Sequence, residues 1–137
     1  ATTGSGESDA SAHLAAVVSM SAPLDLTGAD VRDDFVARQL AYLGCDDFDD
    51  CAAASLASPA TFADPTDPPF LVVHGDDEMI PLEQAEAFVG ALEEVGAPVQ
   101  LAVVPSQRHS IGLLDEPDVR AAILAFLAAT LQEPALR

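Results

Sequence analysis

The chain has no lysine. All five of its cations are arginine, set against 23 aspartates and glutamates, for a formal charge of −18 over 137 residues. So large an excess of one sign repels phosphate backbones and anionic lipid, and no nucleic acid or membrane-surface partner is expected. The plain expectation is a solvated acidic surface. Long apolar runs are missing too. Stretches such as residues 14–18 fall far short of the roughly 20 residues that cross a bilayer, so no membrane insertion is expected. No charged segment followed by an apolar core opens the chain, so no secretory leader is expected in it, and Ala1 stands where an initiating methionine is usual. Cysteine is scarce, with Cys45 and Cys51 alone. Their spacing is not CxxC and no histidine lies near, which argues against zinc. A small disulfide loop and two free thiols both stay open; a bonded pair would favour an oxidising, extracytoplasmic compartment, and localisation is otherwise unread. The acidic run Asp46, Asp47, Phe48, Asp49, Asp50 lacks the alternating ligands and central glycine of a calcium loop.

What is present suffices for a core. Half of the residues are hydrophobic, enough for one ordered domain of ordinary size. Residues 1–12, rich in Gly, Ser, Thr and Asp, read as loop. Residues 14–21 are a continuous apolar run suited to a strand buried on both faces. Asp30 is placed to cap a helix over 31–43, with Val31, Phe35, Leu40 and Leu43 near one stripe and Gly44 to end it. Residues 45–69 read as loop apart from a short helix near 51–56. Pro68 and Pro69 then force an extended entry into a strand over 70–74. Apolar residues at 82, 85, 88, 89, 92 and 95 give a helix closed by Gly96, residues 99–104 a third strand, and Pro117 the first turn of a last helix whose apolar face runs from Val119 to Leu131. Alternating strands and helices, with the strands continuously apolar, imply a three-layer αβα fold around a partial parallel sheet of about three strands. The first strand then lacks cover on its outer edge, an aggregation hazard unless something pairs with it.

Reactive groups in an open parallel sheet gather beyond the carboxyl ends of its strands. There the sequence places Asp76, Asp77 and Glu78 after one strand and Gln107, Arg108 and His109 after the next. Neighbouring strands lie about 5 Å apart, so a carboxylate on one loop can bond the imidazole on the other, fix its tautomer and stabilise its protonated form. A nucleophile is harder to find. Gly6, Glu7, Ser8, Asp9 and Ala10 make a degenerate G-x-S-x-G, but neither the strand before it nor the helix after it is present. Ser8 is read as linker, and no HGGG-type oxyanion segment occurs. His74 is read as a packing and hydrogen-bonding residue, and His13 as exposed loop.

The stretch from Pro68 to Pro81 resembles the acid-bearing turn of α/β-hydrolase-fold esterases and lipases, in which a strand ends in His-Gly and the acid follows before Val/Ile-Pro. Pro105, Ser106, Gln107, Arg108 and His109 resemble their histidine loop, and residues 17–26 are similar to the strand and turn after the nucleophile helix. The likeness covers roughly residues 15–131 and is nearest the bacterial carboxylesterase and feruloyl-esterase-like group, related to the prolyl oligopeptidase catalytic domain. It implies a Ser-Asp-His triad acting on a small ester, with no cofactor or metal. It also implies that this chain is the carboxyl-terminal part of the domain, with nucleophile and oxyanion hole in an absent upstream half, so that the chain alone is inactive. Residues 1–137 are then one partial domain, with 28–65 a lid-like excursion. A peptidase of prolyl oligopeptidase type and a non-catalytic binding module on the same scaffold are the alternatives. The family places the acid four residues after the histidine and four before the proline. Here one residue is missing: counting from His74 gives Glu78, and counting back from Pro81 gives Asp77. Asp77 is favoured because it preserves the helix-side spacing, with Glu78 the alternative and Asp76 a turn residue.

Overall fold

A computed structural model describes residues 14–28 and 33–131. The glycine-rich opening, Ser8, His13, and the expected Asp30 cap with Val31 lie outside the described residues. Within them, strands β1 (Val17–Met20), β2 (Phe70–Gly75) and β3 (Val99–Val104) form one parallel sheet in the order β1-β2-β3. Helices α1 (Asp33–Leu43) and α2 (Ala52–Ala57) lie between β1 and β2, α3 (Leu82–Val95) joins β2 to β3, and α4 (Pro117–Leu131) follows β3. This is the expected αβα arrangement, a partial three-layer fold.

The central strand shows why. Every residue of β2 is buried, and successive side chains point to opposite faces. Phe70 and Val72 pack with Leu24, Ala85, Phe88, Val89 and Leu92 on the α3 side. Leu71 and Val73 pack with Leu113, Val119 and Phe126 on the α4 side. A strand with no polar face is stable only between two apolar layers, which α3 and α4 supply. Leu92 is completely buried, and truncating such a side chain to alanine costs about 2–5 kcal/mol.

The end of α3 follows from one glycine. Gly96 takes φ +78°, its N–H donates to the Glu93 carbonyl, and the Ala97 N–H reaches back to Leu92. This left-handed closure satisfies two carbonyls that the helix would leave bare, and only glycine adopts it without a steric cost.

β1 is shorter than its apolar run. Its register begins at Val17 opposite Phe70, where the Pro69 carbonyl accepts the Val17 N–H at 2.9 Å but Pro69 itself has no N–H to carry the ladder further. It ends where Ser21 turns to φ +53°. The carboxyl-side excursion is held by a few buried bonds. The Ser58 Oγ donates to the Ala54 carbonyl and accepts the Leu26 N–H, both at 2.7 Å. A disulfide joins Cys45 to Cys51, closing the acidic loop between α1 and α2. In α1 the deepest described side chain is not the expected apolar stripe but Gln39, whose buried carboxamide has no hydrogen-bond partner among the described residues. Leu131, expected on the buried face of α4, is 57% exposed. No helix among the described residues is long and apolar enough to cross a membrane.

Candidate active site

The loops after β2 and β3 leave the same end of adjacent strands, with Gly75 opposite Val104. Gly75 permits their close approach: a Cβ there would collide with the Ser106 carbonyl oxygen. Backbone against backbone cannot yield as a flexible side chain can, so glycine is required for contact rather than for an unusual φ.

The three consecutive acids have three different fates. Asp76 extends the ladder: its N–H donates to the Val104 carbonyl at 2.9 Å, and its carboxylate accepts the Ser106 N–H at 3.1 Å. Asp77 is exposed and accepts the Gln107 carboxamide at 2.6 Å. Glu78 turns inward, its side chain fully buried, and its Oε2 meets His109 Nδ1 at 3.0 Å. The side chain that reaches His109 is therefore that of Glu78, not the favoured Asp77. Glu78 lies three residues beyond the end of β2, where the chain turns inward, and Pro81 caps α3.

The histidine is fixed from several sides. Ser110, next to it, has φ +53°, and its N–H donates to the Ser21 Oγ at 2.9 Å. Ser21 is buried, has φ +53° itself, and donates its own N–H to the Val73 carbonyl at 3.1 Å. Two non-glycine residues in the left-handed region cost about 1 kcal/mol or more each, and such strain is tolerated where the surroundings dictate geometry. Here it bends the end of β1 against the histidine loop, so all three strand ends meet at one place. Arg108 is held by Asp115 at 2.6 Å and Glu116 at 3.3 Å, and Ser106 Oγ also donates to Glu116 at 3.1 Å.

The chemistry follows from the hydrogen bonds. A carboxylate can only accept, so the proton of the His109–Glu78 bond belongs to Nδ1. That leaves Nε2 as the ring's lone-pair nitrogen, on a side chain 39% exposed. A buried carboxylate holding a solvent-accessible imidazole in this tautomer has the geometry that the base half of a nucleophilic triad requires. Sequence reasoning found His109 and kept Glu78 as an alternative, but it missed Ser21. Its only signal was a serine at the carboxyl end of a strand, which many strands share. It also left His74 without a partner. The ring is buried, with Nδ1 2.7 Å from Glu78 Oε1 and 2.8 Å from the Gly75 carbonyl.

A parallel sheet between helices, with acid and histidine on consecutive strand-end loops, is the arrangement of an α/β-hydrolase. The chain belongs to the BD-FAE family, whose model matches residues 2–92. It is 42% identical over 60 residues to the probable carboxylic ester hydrolase LipM of Mycobacterium tuberculosis, a match covering 42% of this chain and 14% of LipM. It is 30% identical to Esterase LipQ of the same organism over an alignment covering 76% of this chain and 31% of LipQ. The fold is shared with a truncated carbohydrate esterase from gut microbiota, with TM-score 0.71, 24% identity, and coverage of 88% of this chain and 44% of that one. The chain thus spans less than a third of either curated relative.

Proposed function

We propose that this chain supplies the base and the acid of a serine-type hydrolase that cleaves carboxylic esters. His109 takes the proton from an attacking serine and returns it to the leaving alcohol, and Glu78 orients the ring and stabilises the imidazolium. The serine and the oxyanion donors come from a portion of the α/β-hydrolase fold outside the described residues. The observation carrying this reading is the 3.0 Å contact between His109 Nδ1 and a carboxylate with no solvent exposure. Two further features support it. β1 has a partner on one side only among the described residues, and an apolar hollow of about 310 Å³ lined by Leu14, Val17, Leu24, Phe62, Phe70 and Phe88 runs beside it, a surface open to cover by that further portion. The excursion 28–65 borders the substrate entrance. A second hollow of about 390 Å³, lined by Pro23, Leu26, Phe35, Gln39 and Tyr42, is of the size that takes a small organic molecule. The Cys45–Cys51 disulfide supports an oxidising, extracytoplasmic compartment for the working enzyme.

Ester cleavage is preferred over peptide cleavage because LipM and LipQ are both named as ester hydrolases. A non-catalytic binding module has no use for a half-exposed imidazole aligned by a buried carboxylate. The test is hydrolysis of a short activated ester by the protein that joins this chain to its serine-bearing half. Replacing His109 by alanine, or Glu78 by glutamine, lowers kcat by about a thousand-fold or more, whereas Asp77→Asn stays within a few-fold. The 137-residue chain alone gives no turnover above background. Turnover by the chain alone that disappears in Ser8→Ala would overturn the reading.

A further inference from the structure

We infer that His74 is a positioning residue for the reaction proposed above: a second imidazole that grips Glu78 Oε1 and thereby holds Oε2 on His109. The inference rests on that functional reading. Both side chains are completely buried, so Oε1 depends on protein partners for the hydrogen bonds that water would otherwise give. It has two, His74 Nδ1 at 2.7 Å and the Gly75 N–H at 3.4 Å. The second is long, so His74 is the principal one.

The direction of the bond is fixed. Among the described residues His74 Nε2 is buried with no partner, and a proton there would be a donor without an acceptor, the costlier way to leave that nitrogen. The ring proton therefore sits on Nδ1, shared between Glu78 and the Gly75 carbonyl at 2.8 Å. Glu78 thus receives one imidazole N–H on each oxygen. Glutamate has one more rotatable bond than the aspartate that the family resemblance leads one to expect. A carboxylate on a longer arm, tied at one oxygen only, swings away from its target more readily. His74 removes that freedom from a rigid base, because its backbone lies in the ladder opposite Val103.

The test uses asparagine and glutamine, whose amides place an N–H near the Nδ1 and the Nε2 positions of histidine respectively. In the proton spectrum of the 137-residue chain, the low-field resonance of His109 Nδ1–H is present in the wild type and lost in Glu78→Gln. It is expected to persist in His74→Asn and to be lost or broadened in His74→Gln and His74→Leu, with the circular dichroism of the sheet unchanged. If His74→Leu does not fold, His74→Gln carries the comparison. In the complete hydrolase the same series splits kcat from KM: kcat falls about a hundredfold in His74→Gln with KM unchanged, and His74→Asn recovers it. A resonance that responds to Glu78→Gln but not to either disruptive His74 variant overturns the positioning role alone. No response to Glu78→Gln overturns the acid–base pair and the inference with it.

Discussion

Asp77 and Glu78 are adjacent in sequence, and the direction each takes beyond β2 decides which of them meets the histidine. Asp77 is two residues beyond Gly75 and points to solvent, where Gln107 takes it. Glu78 is three beyond and spans from a buried position to two imidazoles. Ser21 acts at the same scale. Its Oγ accepts the N–H of Ser110, 89 residues away in sequence, and ties the histidine loop to β1. Ser21→Ala leaves that N–H without its acceptor in a part-buried site and is expected to destabilise the chain by about 1–2 kcal/mol, read as a lower urea midpoint with unchanged slope. An unaltered midpoint would mean that the loop finds another acceptor at no cost.

Among the elements, the pairing of β2 with β3 sets the site, since it brings the two loops together before any side chain bonds. Gly75 is the contact point. Gly75→Ala drives a methyl group into the Ser106 carbonyl, and neither backbone can move without breaking the Asp76–Val104 and Asp76–Ser106 bonds. The expected loss is about 1–3 kcal/mol, the usual cost of overpacking a tight contact, accompanied by separation of Glu78 from His109. Thermal unfolding reads the first, and the His109 Nδ1–H resonance reads the second. A variant as stable as the wild type, with that resonance intact, would show that the loops have slack. α3 acts differently, as cover: it closes one face of β2 and ends at Gly96 because no other residue makes that turn cheaply.

For the molecule as a whole the dominant quantity is charge. With −18 on 137 residues, self-repulsion opposes compaction, and it weakens as salt shortens the Debye length to about 3 Å at 1 M. The thermal midpoint is therefore expected to rise as sodium chloride increases from low concentration towards about 1 M. A flat or falling curve would assign the acids to local pairs instead of a collective field. β1 has a single strand partner among the described residues, and repulsion between copies of so acidic a chain opposes edge-to-edge pairing there.

Much of this was legible from residues alone, for identifiable reasons. β3 and α3 fall where their patterns put them, because six apolar-rich residues after a Gly-Ala-Pro turn and a 3.6-residue period closed by Gly96 depend on local chemistry. β1 read too long, since its length is fixed by its partner's proline and not by its own composition. The single 3-10 turns at Pro59–Phe62 and Ser110–Asp115 went unread, being too short to establish a period. The acid was ambiguous between two counts because one dimensional spacing measures distance from two ends at once. The fold shows only which of the two side chains reaches the imidazole, that of Glu78.

The sequence by itself determined a parallel αβα layer, an acidic surface, and a histidine and a carboxylate brought to one end of the sheet, because these depend on periodicity, composition and order along the chain. The tertiary structure alone decided that the carboxylate is Glu78, that His74 holds its other oxygen, and that Ser21 anchors the histidine loop. Each of these is a contact within hydrogen-bond distance between residues on different elements or across a turn, where a shift of one residue changes the partner.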